Sequence, residues 1–290
     1  MPKNISRYLR EFLENLKQSK GRTEKTIENY RFYMSRFIDF FGDKKPDRLT
    51  VDTIKRYRKW LGELIDARGE PLKKNTQNYH LIALRNFLRY LQSKKITTLS
   101  HREIKLDQIN MKKPSVLGKT DLERLLDAPL KDKTAGKNDT LSNHRNKAVL
   151  ELLFSTGMLV SEIAKLKKTD INLNKNELSL LIKKNKQKTV PLSEQARYWI
   201  KQYLNLRKDS NPYLFIPHDK RAGKNKDKGI TPRTVQRIVN KCAKSAGLQK
   251  NITPHSFRHS YTLSMIKSGV SVENIKKTLG LSNDNSSRYC

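Results

Sequence analysis

Residues 253–280 read TPHSFRHSYTLSMIKSGVSVENIKKTLG, and this stretch decides the fold prediction. The dipeptide Thr253-Pro254 is typical of a helix start, because the first helical position needs no backbone N–H and proline has none. His255 and Arg258 lie three residues apart, so a helix places their side chains on one face. A second helix is predicted to follow, with Ser271 as its N-cap. The stretch therefore predicts two consecutive helices, the first of which presents a histidine beside an arginine.

The residues upstream predict the rest of the same domain. Residues 152–166, LLFSTGMLVSEIAKL, predict two helices separated by a turn. Apolar residues alternate over 178–182, and the chain returns over 188–192 after a turn at Lys184-Asn185-Lys186, which predicts a β-hairpin with a lysine-rich tip. The polar residues 131–146 show no periodic pattern, and we expect a loop there.

The N-terminal part of the chain carries four stripes of apolar residues at helical spacing, within residues 9–16, 27–41, 54–64 and 81–91. Lysine and arginine occupy the opposite faces, so the stripes predict four amphipathic helices that share one core.

The domain organisation follows from these patterns. We expect a mainly α protein with a four-helix domain over residues 1–95, a polar linker over 96–116, and a second, α+β domain with a small antiparallel sheet over 117–290.

Two of the N-terminal helices begin with polar residues, Thr23 and Thr26 in one and Asn75 and Thr76 in the other. Hydroxyl and amide groups at a helix N-terminus suit DNA phosphates. The same residue types are also the preferred N-caps. Both interpretations remain open from the sequence.

The composition indicates a polyanionic partner. The chain has 290 residues with 61 Lys and Arg against 28 Asp and Glu, a formal net charge of +33. A compact domain with this charge repels itself unless an anion compensates, and the basic residues are spread among apolar positions, which favours a folded basic surface and double-stranded DNA as the partner. Two cysteines give no zinc spacing, and no leader or membrane span is recognisable, so we expect a cytoplasmic protein without a zinc site.

Three segments of the second domain, 152–166, 180–193 and 253–280, resemble the catalytic domain of the tyrosine recombinases, the family of phage integrases and Xer-type resolvases. Residues 23–41 and 75–91 resemble that family's core-binding (SAM-like) domain. The resemblance covers nearly the whole chain. It implies two lobes that bind duplex DNA for site-specific recombination, without ATP, metal or any other cofactor.

The resemblance also implies the chemistry. In this family a tyrosine hydroxyl attacks a DNA phosphate and forms a 3′-phosphotyrosyl link, while arginines stabilise the charge that builds on the phosphate oxygens. Arg258 matches the second arginine of the family motif and His255 its histidine. Lys183 falls at the position of the hairpin lysine, which protonates the leaving oxygen, although Lys184 or Lys186 could replace it. Lys184 and Lys186 are also candidate DNA-binding residues.

One further candidate DNA-binding residue is Arg233, in the first turn of the helix predicted from Thr231-Pro232.

Three positions depart from the family pattern. Leu159 stands where the first arginine is expected, Leu281 where a histidine or tryptophan is expected, and Cys290 at the position of the nucleophilic tyrosine. Tyr289 is one residue early, and a one-residue shift rotates a helical side chain by about 100°. Each lost donor to a transition-state oxyanion costs about 3–4 kcal/mol, so Leu159 and Leu281 together predict a loss of roughly 10⁴-fold or more.

These observations favour a duplex-DNA-binding member of the family with little strand cleavage. One alternative is an active recombinase that uses Tyr289, and another is a basic structural nucleic-acid-binding protein without sequence preference. The sequence ends at Cys290, before the segment with which the family docks on a neighbouring subunit. We therefore expect a C-terminally truncated domain that is monomeric when free, whereas the resemblance implies dimers and tetramers on DNA.

Overall fold

The computed structural model describes residues 3–18, 21–109, 116–131, 139–182, 186–218, 228–249 and 252–280. Contacts between Cα atoms divide the chain into two compact units, Met1–Lys112 and Lys113–Cys290. Each unit has its own buried apolar core.

The first unit contains the four predicted helices. They are α1 (Ile5–Gln18), α2 (Glu24–Phe41), α3 (Val51–Glu63) and α4 (Lys74–Ser93), with short 3₁₀ turns at Pro46–Arg48 and His101–Glu103. Each helix buries the apolar stripe that predicted it, and the fully buried side chains include Phe12, Phe37, Tyr57 and Leu84. The four stripes therefore form one core.

Residues 96–109, which the sequence assigned to a linker, pack against the first unit instead. The Ile104 side chain is fully buried in the core of this unit. Arg58 Nη1 lies 2.7 Å from Asp107 Oδ1, and Asn78 Nδ2 donates to the Asp107 carbonyl at 2.9 Å. A polar, aperiodic segment looks like a linker in sequence because its anchoring contacts are made to residues far away along the chain.

The second unit is mostly helical. Its helices are α5 (Lys119–Lys131), α6 (Asp139–Thr156), α7 (Val160–Ile163), α8 (Glu194–Leu206), α9 (Pro232–Ser245), α10 (Pro254–Lys267) and α11 (Val272–Leu279). Ser271 accepts a hydrogen bond from the Asn274 backbone N–H and is the N-cap that the sequence predicts. Thr231 accepts one from the Thr234 backbone N–H and caps α9 at the predicted helix start. Pro254 is the first residue of α10, as its position after Thr253 predicts.

A small antiparallel sheet accompanies these helices. Its strands are β1 (Ile171–Asn172), β2 (Glu177–Ile182) and β3 (Lys186–Pro191), in the order β1-β2-β3. The hairpin register pairs Leu178 with Val190 and Ile182 with Lys186. This confirms the predicted hairpin, whereas the two-residue β1 was too short to predict.

Helix α6 begins at Asp139, so the loop expected over 131–146 is wrong for the residues from 139 onward. This helix buries charged as well as apolar side chains. Lys147 Nζ lies 2.9 Å from Glu151 Oε1, and both side chains are almost fully buried. The turns that the sequence did not predict, residues 139–146, are polar apart from Leu141, so they show no apolar period from which a helix is recognised. Arg145 is nevertheless buried, and its Nη1 donates to the Ile216 carbonyl at 3.0 Å.

None of the helices in the described ranges combines the length and the apolar composition that a bilayer crossing requires. Within the same ranges, no group of three His, Cys, Asp or Glu side chains is placed to hold a metal ion.

Candidate functional site

A cavity of about 370 Å³ in the second unit lies between the start of α7, one face of α9 and the start of α10. It is lined by Met158, Leu159, Val160, Ser161, Gln236, Asn240, Thr253, Pro254, His255 and Arg258. Three residues singled out from the sequence, Leu159, His255 and Arg258, thus share one cavity although about 100 residues of chain separate the first from the others.

Arg258 is the buried cation of this cavity, with a residue exposure of 4%. Its Nη1 donates to the Gly157 carbonyl and its Nη2 to the Leu279 carbonyl, each at 2.7 Å. Charge-assisted hydrogen bonds of this kind are stronger than neutral ones. Arg258 therefore links the turn before α7 to the end of α11 and holds a positive charge at the cavity wall.

Gly157 shapes the turn that carries Leu159. Its φ of 60° lies in the left-handed region, and a Cβ at this position would come within 2.7 Å of the Tyr261 ring. Thr156 Oγ1 donates to the Leu152 carbonyl at 2.6 Å and accepts the N–H of Met158 at 3.3 Å. The turn is thereby fixed by contacts on both sides.

Leu159 immediately precedes α7. Its backbone N–H donates to Glu162 Oε2 at 2.7 Å, and its isobutyl side chain, 38% exposed, lines the cavity. The wall of the cavity is therefore apolar at this position.

His255 is the second residue of α10 and is exposed at the cavity. His259 follows one turn later, and burial lowers its pKa, helped by the positive potential of His255 and Arg258. A neutral His259 is thus favoured beside a positively charged Arg258. The sequence reading passed over His259, although its position directly after Arg258 and four residues after His255 could have indicated it.

Gln236 and Asn240 are cavity residues that the sequence reading also missed. They lie one turn apart on α9, and both are exposed. Arg233, in the first turn of the same helix, is exposed but is not among the cavity residues. The i, i+4 spacing of two amide side chains after Arg233 is the signal that could have identified this polar face.

The other residues predicted for this site lie outside the described residues: Lys183, Lys184, Leu281, Tyr289 and Cys290. Lys186 is the first residue of β3, opposite Ile182.

In the first unit, the N-termini of α2 and α4, which both begin with polar residues, are capped differently. Thr23 is the N-cap of α2, since its Oγ1 accepts from the Thr26 N–H at 3.4 Å and lies 2.9 Å from Thr26 Oγ1. Helix α4 begins after Lys73 without a side-chain cap, so Asn75 and Thr76 lie inside its first turn. The N-cap interpretation therefore holds for Thr23 and is wrong for Asn75 and Thr76.

Comparisons with known proteins agree with this architecture. The chain matches the phage integrase family over residues 115–289 and the phage integrase N-terminal SAM-like domain over residues 9–95. It is 30% identical over 278 residues to tyrosine recombinase XerA of Pyrococcus horikoshii, covering 95% of this chain and 85% of that protein. It is 29% identical over 289 residues to tyrosine recombinase XerC of Thermodesulfovibrio yellowstonii, covering 96% of this chain and 88% of that protein.

Solved structures share the fold. A lambda integrase dimer bound to a COC′ core site superposes with a TM-score of 0.72 at 16% identity, covering 99% of this chain and 77% of that one. The crystal structure of XerA recombinase gives a TM-score of 0.51 at 25% identity, covering 98% and 92%. Because family matches span both units, the chain belongs to the phage integrase family of tyrosine recombinases.

Proposed function

We propose that this chain binds duplex DNA at a recombination site and cleaves it poorly. The observation that carries the proposal is the position of Leu159, in the same cavity as His255 and Arg258. The formal charge of +33 supports DNA binding, since a basic surface gains affinity by releasing counterions from DNA phosphates.

The chemistry of phosphotyrosyl transfer explains the expected loss of cleavage. In the absence of a metal ion, positively charged donors must stabilise the charge on the two non-bridging phosphate oxygens. Arg258 supplies one guanidinium, whereas the side chain of Leu159 has no donor. One missing donor costs about 3–4 kcal/mol, which is roughly 10²–10³-fold in rate.

The assembly and the setting are part of the proposal. Two solved relatives are described as a lambda integrase dimer on a core site and a lambda integrase tetramer on a Holliday junction. We propose dimers and tetramers of this chain on paired DNA sites, in the cytoplasm. We also propose two domains, of which the first extends to residue 109 because residues 96–109 pack on it.

Restoring the arginine tests the proposal. A binding site is first selected from random duplexes at physiological salt, and a nick is then placed in it so that covalent protein–DNA adducts accumulate. Because Cys290 stands at the expected nucleophile position, the comparison is made in a Cys290→Tyr background. We expect adducts at trace level in that background alone and at least about 10²-fold more when Leu159→Arg is added. Leu159→Gln in the same background, which has a similar size but no charge, is the matched control and should stay near the background level.

Two results would overturn this assignment in favour of the alternatives. Rapid adduct formation by the wild type that Tyr289→Phe abolishes would identify an active recombinase. Failure to select any duplex over random DNA would identify a basic structural nucleic-acid-binding protein, because specific sites normally compete about 10³-fold or better.

A further inference from the structure

The guanidinium of Arg258 lies between two main-chain carbonyls of the second unit. Its Nη1 donates to the Gly157 carbonyl and its Nη2 to the Leu279 carbonyl, each at 2.7 Å. A guanidinium is planar and its donors form a rigid fork, so hydrogen bonds at both Nη atoms fix its place and its plane. The direction in which Arg258 presents its charge to the cavity therefore depends on where these two carbonyls lie.

The two carbonyls belong to segments that are less regular than the helix that carries Arg258. Arg258 lies within α10, where its own carbonyl also accepts the Thr262 hydroxyl at 2.8 Å. Gly157 lies in a turn between two helices and has a left-handed φ of 60°. Leu279 is the last residue of α11, which has only eight residues. Whatever fixes the distance between Gly157 and Leu279 therefore also fixes the direction of the guanidinium.

Tyr261 packs at the point where Gly157 and Leu279 meet. A Cβ on Gly157 would come within 2.7 Å of Tyr261 Cδ1 and 3.1 Å of Leu279 Cδ2, so these two side chains fill the space beside the turn. Tyr261 follows Arg258 by three residues on α10, which places both side chains on one face of the helix. This face therefore contacts the turn twice, through the Arg258 hydrogen bond and through the Tyr261 ring.

The ring of Tyr261, rather than its hydroxyl, makes this contact. The atoms nearest the Cβ position of Gly157 are Cδ1 and Cγ of the ring, the second at 3.3 Å. Tyr261 is half-buried, and burial raises the pKa of its hydroxyl, so the side chain stays neutral. It is not among the residues that line the cavity. Tyr261 can therefore influence the cavity only through the residues on which its ring packs.

We propose that Tyr261 is a positioning residue for Arg258. Its ring holds the Gly157 turn and the end of α11 at the distance at which Arg258 bonds both carbonyls, and this directs the guanidinium at a DNA phosphate in the cavity. The inference rests on the proposed function, which places a phosphate beside Arg258, and it adds a residue that acts from outside the cavity. A displacement of about 1 Å in a reacting group can lower a rate by about 10²-fold, so the effect on cleavage should be measurable.

Three variants of the full chain test this role. Tyr261→Leu removes the ring, whereas Tyr261→Phe keeps the ring and removes the hydroxyl. Phe257→Leu is the matched control, because it removes a fully buried ring of the same helix that packs in the core of the second unit. Urea unfolding gives the stability of each variant, and the comparisons are made where all three are folded.

NMR spectroscopy of isotope-labelled arginine side chains reports on the guanidinium directly. The signals of Arg258 are identified by their loss in Arg258→Lys. Hydrogen bonds at both Nη atoms slow rotation about the Cζ–Nη bonds, so the wild type should give separate Nη1 and Nη2 signals. We expect the same separate signals in Tyr261→Phe and Phe257→Leu, and one averaged, broadened signal in Tyr261→Leu.

The nicked-duplex assay adds a functional measurement, in the chain that carries both Cys290→Tyr and Leu159→Arg. Adding Tyr261→Leu should lower the rate of adduct formation at saturating DNA by about 10²-fold, with duplex affinity changed by less than about threefold. Tyr261→Phe should leave both quantities near those of the parent chain. A loss confined to the rate indicates a misdirected guanidinium, since a general loss of folded protein would lower duplex binding as well.

Contrary results point to different causes. Separate Arg258 signals in Tyr261→Leu, or an equal change in Phe257→Leu, would contradict the positioning role and leave the proposed function standing. Loss of adducts in Tyr261→Phe would show that the hydroxyl acts, and a role carried by the ring would be wrong. If the parent chain with Cys290→Tyr and Leu159→Arg forms no adduct, the proposed function fails, whereas the Arg258 signals still decide whether Tyr261 holds the guanidinium.

Discussion

At the scale of single residues, the cavity of the second unit depends on Gly157. The left-handed φ of this residue brings its carbonyl to Arg258 and turns the chain so that Leu159 enters the cavity. A side chain here would both strain the backbone and collide with Tyr261.

Gly157→Ala should therefore destabilise the second unit strongly. A left-handed non-glycine residue costs about 1–2 kcal/mol, and the collision with the Tyr261 ring adds about 1–3 kcal/mol. Gly269→Ala is the matched control, because Gly269 also has a left-handed φ of 77° but open space around its Cβ position. Urea unfolding followed by Trp199 fluorescence in a Trp60→Phe background measures both. Equal losses in the two variants would contradict the clash.

His80 is a second residue with a measurable consequence. It is buried in the first unit, where its ring packs 4.6 Å from that of Tyr33 and its Nδ1 lies 3.4 Å from the Tyr57 hydroxyl. Burial lowers the pKa of His80 to about 4, and the positive charge of Arg36 contributes to the shift.

This shift predicts a pH-dependent stability. Between pH 6.5 and pH 4 the unfolded chain binds a proton at His80 that the folded unit does not, so stability present above pH 6.5 is lost as the pH falls. From pH 7 to pH 5 the free energy of unfolding should drop by about 2 kcal/mol more in the wild type than in His80→Phe. Trp60 fluorescence in a Trp199→Phe background reports this unit. Parallel pH profiles for the two proteins would disprove the assignment.

At the scale of secondary-structure elements, a substitution at Thr23 can distinguish a capping role of this residue from a DNA-binding role. Thr23 caps α2 through the Thr26 N–H. Because Asp caps helices as well as Thr does, Thr23→Asp should leave thermal stability within about 0.5 kcal/mol of the wild type.

If α2 also contacts a phosphate through this end, the added charge should weaken duplex binding by about tenfold at low salt. Ser193→Asp at the N-cap of α8 adds the same charge at another helix start and is the control. Unchanged affinity in Thr23→Asp would reduce Thr23 to a structural cap.

Two of the secondary-structure elements show which features a sequence pattern can predict and which it cannot. The hairpin was predictable because Leu178, Leu180 and Ile182 alternate and a polar turn follows them. The first turns of α6 were not, because residues 139–146 are polar apart from Leu141, and Arg145 is buried through a hydrogen bond to the distant Ile216 carbonyl.

At the scale of the whole molecule, the extent of the first unit can be tested with fragments. Residues 96–109 bury Ile104 and join Arg58 to Asp107. A fragment of residues 1–112 should unfold cooperatively, whereas a fragment of residues 1–95 should be less stable by at least about 2 kcal/mol, the value of one buried isoleucine. Equal melting of the two fragments would restore the boundary at residue 95.

The sequence by itself determined the four N-terminal helices, the hairpin, the helix starts at Thr231, Thr253 and Ser271, and the family. These features are local: an apolar period or a capping residue acts on neighbours within one or two turns, so a few adjacent residues suffice to specify them.

Only the tertiary structure decided which polar side chains are buried and what they meet. Arg258 reaches the Gly157 carbonyl 101 residues earlier in the chain, and Leu159 enters the same cavity as a result of that turn. A buried charge is stable only when hydrogen-bonding or charged partners from distant segments surround it. A periodic pattern of neighbouring residues carries no information about those partners.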